Sequence, residues 1–189
     1  MEIAKDKISI SFIDIEVRPD TGKVLDFGGV RLDDSPGHDH SPRLKHAEFH
    51  SSHLPDFVDF IRHSGFICGH NIFNHDLKYL QGIVPPELFE RAGFIDTLLL
   101  SPLLFPAKPY HRLVKDDKLN TDDLNNPLND SMAAMDLLFD EIQAFEGLDA
   151  ALRLIYFELL GKLDQWKGFF RYLDYRRSDD VAVVDIEHY

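Results

Sequence analysis

The sequence predicts a mixed α/β domain, its sheet antiparallel in the first strands and parallel in the later ones, with helices flanking it. Three patterns carry this prediction. Strand-like segments come first, short apolar strands then alternate with helical stripes, and three helical stripes follow towards the C-terminus. With 189 residues, 44% of them hydrophobic, the chain is sized for one core-forming domain. That domain is expected to span 1–176. The segment 177–189, with the apolar run Val181, Ala182, Val183 and Val184, reads as an edge strand or the opening of a further domain.

From the N-terminus, Ile8 to Val17 reads as a central strand, with Ile8, Ile10, Phe12, Asp14 and Glu16 on one face and Ile13, Ile15 and Val17 on the other. Pro19-Asp20-Thr21-Gly22 has turn composition, and a second strand from Lys23 to Leu32 completes an antiparallel hairpin. Asp33 to Pro42 is loop, and Arg43 to His50 a third strand suited to a sheet edge. Phe57, Phe60 and Ile61 mark a helix over Leu54–His63. Phe66–Asn71 is a short buried strand, and Asn74–Gln81 a helix with Leu77 and Leu80 inward. Pro85-Pro86 reads as punctuation, and Phe94–Leu104 as a strand running into a short helix. Lys108 to Asn126 is polar and irregular. Leu128, Met132, Met135, Leu138, Phe139, Ile142 and Phe145 then form a long helical stripe that Gly147 stops, with Asn129 or Asp130 as its N-cap. Two further helices follow, on Leu148, Leu152, Ile155 and Leu159 and on Leu163, Trp166, Phe170 and Leu173.

Composition excludes several classes. The Gly and Pro content is too low for a collagen-like chain, and the hydrophobic content too high for a disordered one. Cys68 is the single cysteine, so neither an internal disulfide nor a cysteine-based zinc finger can form. The apolar stretch Leu98–Phe105 is too short to cross a bilayer, and no basic-then-apolar leader is visible, so a soluble, cytoplasmic protein without a membrane role is expected. The net charge of −13 argues against a broad basic nucleic-acid face. Much of that charge lies between Asp116 and Ala150, where ten acids accompany one lysine. Bound cations can reconcile such a balance with phosphate chemistry.

Three local features bear on chemistry. In Asp14-Ile15-Glu16 the period of a strand puts both carboxylates on one face, where they repel each other and call for a counter-charge such as Mg²⁺ or Mn²⁺. In Gly69-His70-Asn71-Ile72-Phe73-Asn74-His75-Asp76 a strand end runs into a helix start that carries an acid. In Asn125-Asn126-Pro127-Leu128-Asn129-Asp130 another acid opens the long helix. Each alone has an ordinary explanation: solvated strand-end acids, acids favoured at helix N-termini, a helix cap.

Taken in order and at this spacing, the three features resemble the DnaQ-like (DEDD) 3′–5′ exonuclease family of the ribonuclease H-like fold, over about Ile8 to Glu141. The resemblance implies that Asp14, Glu16, Asp76 and Asp130 bind two divalent ions, Mg²⁺ or Mn²⁺. It also implies two-metal hydrolysis that releases nucleoside 5′-monophosphates from a single-stranded 3′ end. By the same resemblance, Val17, His70, Asn71 and Phe73 hold the terminal nucleotide, Val17 standing where many members have threonine. Lys108 and Arg112, with Lys115 and Lys118, form a basic cluster that could grip phosphates or simply be a solvated loop. DNA repair, with a fused or associated helicase or polymerase domain, is the setting such a domain implies.

The family's two main branches place a general base, His or Tyr, five or four residues before the last acid. Here those positions are Asn125 and Asn126, and neither side chain can accept a proton as His or tyrosinate does. His111 is the candidate to take that role. The alternative is a catalytically weak or inactive nuclease-like module that binds nucleic acid or a partner protein. His38, His40, His46, His50 and His53 read as loop and edge-strand residues rather than a zinc site.

Overall fold

The computed structural model describes residues 9–33, 43–113 and 126–176. The loop histidines His38 and His40, the basic pair Lys115 and Lys118, Asn125 and the segment 177–189 lie outside them. β1 (Ser9–Val17) and β2 (Val24–Asp33) form the expected antiparallel hairpin, in register from Ser9 opposite Asp33 to Glu16 opposite Asp26, with a shift before Val17 opposite Val24. Gly22 closes the turn with φ 64°, a left-handed conformation natural to glycine, and its N–H donates to the Arg18 carbonyl at 2.8 Å. β3 (Arg43–His50) pairs antiparallel with β2, while β4 (Phe66–Gly69) runs parallel to β1 and β5 (Gly93–Asp96) parallel to β4. The sheet order is β3-β2-β1-β4-β5, with β3 at an edge as expected. This is the mixed, helix-flanked sheet the sequence predicts, and it is compatible with a ribonuclease H-like fold.

The alternation along β1 divides the core. Ile13 and Ile15 pack with Phe27, Phe57, Ile61, Ile72 and Leu80 on the face covered by α1 (Leu54–Ile61) and α2 (Asp76–Leu80). Ile10 and Phe12 pack with Val30, Cys68, Leu138 and Phe145 on the face covered by α5 (Pro127–Glu146). Burying each such side chain contributes about 1.5–3 kcal/mol, so both faces of β1 are committed to the interior. Further along the chain lie α3 (Pro86–Arg91), α4 (Thr97–Leu104), α6 (Ala150–Leu160) and α7 (Asp164–Tyr172). The aromatic residues of α7 pack as core: Phe169 and Phe170 are buried against Phe145.

Two local expectations need correction. Pro85-Pro86 does more than interrupt, because Pro86 opens α3; a proline in the first turn gives up an N–H that has no helical acceptor there. The long helix starts earlier than its apolar stripe suggests. Its N-cap is Asn126, whose side chain accepts from Leu128 N at 2.8 Å and Asn129 N at 3.1 Å, with Pro127 following. Neither Asn129 nor Asp130 is the cap. Asp130 therefore lies inside the first turn, with its carboxylate not used as the helix cap.

Candidate metal centre

Asp14 faces Gly28 across the β1–β2 ladder, and Glu16 faces Asp26. A Cβ on Gly28 would overlap the Pro127 carbonyl and the Leu128 nitrogen, so the start of α5 rests directly on the β2 backbone. That close approach sets the first turn of α5 beside β1. It brings Asp130 to Asp14 and Glu16, and carboxylate oxygens of the three lie within 4.8 Å of one another. A Mg²⁺–oxygen bond is about 2.0–2.1 Å, so oxygens this close can share an ion. Among the described residues this is the one such cluster of three or more potential ligands.

Asp76 approaches from the other side of β1. The parallel ladder with β4 ends at Phe12–Cys68, and beyond it the Ile15 N–H donates to Asp76 Oδ1 at 3.0 Å. Asp76 is 1% exposed and lies 3.7 Å from His75 Nδ1. Burial raises its pKa, opposed by His75 and by N–H donors that include Ile15. Asp14 is pushed up to about 8, first by burial and then by the charges of Asp76, Asp130 and Glu16, with His75 acting in the opposite sense. His75 is raised by Asp76 beside it, with Asp14 and Glu16 adding to the effect. Four acids thus share one field, three with oxygens close enough to share an ion and the fourth anchored to β1 through its backbone. A divalent cation would relieve this repulsion, and hard oxygen donors suit Mg²⁺ or Mn²⁺.

The turn that leads into α2 and Asp76 is held by Asp96, at the end of β5 and 2% exposed. Its Oδ1 accepts from Asn71 N at 2.8 Å and Leu98 N at 2.9 Å, and its Oδ2 from Phe73 N at 3.3 Å. Asn71 has φ 68°, a conformation asparagine tolerates better than most residues, and its side-chain oxygen accepts from Asn74 Nδ2 at 3.1 Å. His70 Nδ1 is 2.8 Å from Thr97 Oγ1, and its Nε2 is buried without a hydrogen-bond partner. Burial pushes the His70 pKa down to about 4, against the pull of Asp130, so the ring is neutral near pH 7.

Among the other residues singled out in the sequence, Val17 is half-buried beside the ladder irregularity that ends β1, and Phe73 packs partly against the core. Lys108 and Arg112 are exposed, with Lys108 Nζ 3.9 Å above the Phe105 ring. His111 is half-buried and its Nδ1 lacks a hydrogen-bond partner. The charge of His75, on the segment that leads into α2, acts on Asp14. Gly28 and Asp96 were missed as site-building residues. A glycine within a strand opposite an acid is the sign that pointed to the first.

No protein-family model and no curated protein matches the chain. Among solved structures, the family B DNA polymerase from the hyperthermophilic archaeon Pyrobaculum calidifontis matches at 16% identity with a TM-score of 0.36. The match covers 85% of this chain and 26% of the polymerase chain. A likeness this loose fixes neither family nor function. Among the described residues, no helix is long and apolar enough to cross a membrane.

Proposed function

We propose that this chain is a metal-dependent nuclease domain that removes nucleoside 5′-monophosphates from the 3′ end of single-stranded DNA or RNA. The observation that carries this reading is the convergence of Asp14, Glu16 and Asp130 within 4.8 Å. Asp76 is buried behind them and adds to the charge felt by Asp14. Asp14, Glu16, Asp76 and Asp130 are the residues that would hold two Mg²⁺ or Mn²⁺ ions. Such ions, when bound, supply activation of water and charge stabilisation at the leaving oxygen. The chain's own residues do the rest. Asp76 fixes the end of β1 through Ile15 N, keeping Asp14 and Glu16 aimed at α5. The turn bearing His70, Asn71 and Phe73, with the backbone around Val17, receives the terminal nucleotide. Lys108 and Arg112 draw the strand's phosphates towards the centre. His111 is proposed as the proton acceptor that replaces Asn125, and the domain's setting is DNA repair beside a helicase or polymerase.

Asn125 favours a second reading, a nuclease-like module that binds nucleic acid or a partner without turning it over. The two readings separate on 5′-labelled single-stranded DNA and RNA with Mg²⁺ or Mn²⁺. A ladder shortening from the 3′ end, abolished by EDTA and reduced at least about 10³-fold in Asp14→Ala, supports the enzyme. Folded protein that leaves both substrates intact over hours supports the binding module.

A further inference from the structure

The C-terminal ends of β1, β4 and β5 set three side chains side by side. Phe12 on β1 lies beside Cys68 on β4, and Gly69 lies beside Asp96 at the end of β5. A Cβ on Gly69 would stand 3.0 Å from the Ile13 carbonyl, so β1 and β4 stay close one residue past their last paired position. Period-two alternation then carries His70 to the face of Cys68, which is also the face of Phe12 and Asp14. On the other side Thr97 follows Asp96 as His70 follows Gly69, and the two side chains meet, with Nδ1 2.8 Å from Oγ1. His70 therefore stands between Asp14 of the metal centre and Thr97 at the start of α4.

Thr97 is 0% exposed, and among the described residues the hydrogen bond of its hydroxyl is the one to this ring. His70 Nε2 is shielded from solvent and unpaired. A hydroxyl that accepted from an Nδ1–H would leave its own hydrogen and the Nε2 lone pair both unpaired. A hydroxyl that donates to Nδ1 leaves a single unpaired group, the Nε2–H. Each buried unpaired group costs free energy, so the second arrangement prevails. We propose that Thr97 is a positioning residue that fixes His70 as its Nε2–H tautomer, and that this N–H donates to a phosphate oxygen of the terminal nucleotide beside Asp14. The tautomer stands on its own; the phosphate contact rests on the nuclease reading above. A neutral donor suits the place: it bonds a phosphate oxygen, whereas an imidazolium would be repelled by the cations that the acids are suited to hold. The ring as a whole is half-buried, so its shielded edge lies close beneath the surface.

The test is nitrogen-15 NMR of the histidine rings in the full chain at pH 7.5, for the wild type, Thr97→Val and Thr97→Ser. Spectra are taken alone and then with Mg²⁺ and thymidine 5′-monophosphate. The wild-type His70 ring is expected as the Nε2–H form with Nδ1 accepting a hydrogen bond, and Thr97→Ser is expected to match it. An Nδ1–H ring, or one protonated on both nitrogens, overturns the proposal on the wild type alone, whether or not Thr97→Val folds. The nucleotide is expected to shift the Nε2–H signal, and thymidine, which lacks the phosphate, to leave it in place. Affinity for the nucleotide is expected to fall about tenfold in Thr97→Val and to be kept in Thr97→Ser. A nucleotide that binds without moving the Nε2–H signal, or that binds Thr97→Val as tightly as the wild type, overturns the phosphate contact. A protein that binds no nucleotide loses the phosphate contact together with the nuclease reading and keeps the tautomer assignment. A nuclease assay that fails while the nucleotide still shifts the Nε2–H signal removes the proposed activity and leaves the contact standing.

Discussion

Asp14 and Asp96 both stand near the C-terminal ends of strands that run the same way, β1 and β5, with β4 between them. Their surroundings differ. Asp96 accepts three backbone N–H groups, and those donors oppose the rise that burial imposes on its pKa. Asp14 is surrounded by Asp76, Asp130 and Glu16, which add to the rise. A buried acid furnished with amide donors has its counter-charge built into the fold and serves as a staple. A buried acid furnished with other acids has a counter-charge still to arrive, and that is how a cation site differs from a structural one.

The comparison can be broken at three points. The largest effect is expected at Gly28, where Gly28→Ala forces the start of α5 off β2 and separates Asp130 from Asp14. Unfolding in denaturant should show a loss of about 3 kcal/mol or more, and Mg²⁺ titration a loss of affinity that refolding additives do not restore. Wild-type stability and affinity in this variant would mean the close approach does not set the centre. Next is Asp96→Asn, which turns an acceptor oxygen into an NH₂ group facing a backbone N–H. A cost of about 1.5–3 kcal/mol is expected, together with faster amide exchange at Asn71 and Phe73. The same substitution at Asp14 should have the opposite sign in EDTA, because it removes repulsion and no donors.

The smallest effect, taken per pH unit, is a pH slope of at most about 1.4 kcal/mol. Asp14, held near 8 in the folded chain against an ordinary 3.8, keeps a proton that the unfolded chain releases. In EDTA its contribution to stability therefore falls as pH rises from about 4 to about 8 and is level above that. Mg²⁺ affinity should run the other way, rising by up to about tenfold per pH unit until Asp14 has lost its proton. Thermal unfolding and Mg²⁺ titration of wild type and Asp14→Asn across that interval would show it. A slope unchanged in the variant would place the proton elsewhere.

Much of this arrangement was legible in the residues. The alternation of Ile10, Phe12, Asp14 and Glu16 against Ile13 and Ile15 placed two acids on one face of a central strand, and the structure keeps that division. The start of α5 was misplaced because its apolar stripe begins at Leu128, while the cap is set by Asn126 and Pro127, which periodicity does not see. Glu141 looked like one more acid on a helix rich in them. Only the packing of α5 against α4 and the sheet shows it to be buried, and burial on a third side of a helix leaves little trace in a stripe two residues wide. His75 was hidden for a similar reason: its effect on Asp14 depends on the start of α2 meeting β1 at Ile15, a tertiary event with no local mark.

The contact between the start of α5 and Gly28 also decides when in folding the centre comes to exist. Asp14 and Glu16 belong to a local hairpin that can close early, whereas Asp130 reaches them only once a helix more than a hundred residues further on has docked. A chain with the hairpin but without α5 has two acids side by side and no third to complete the cluster. On the proposed reading, cation affinity is therefore a property of the finished tertiary structure. On that reading each kilocalorie of binding is a kilocalorie of folding, and titrating Mg²⁺ into a destabilised variant measures how far α5 has docked.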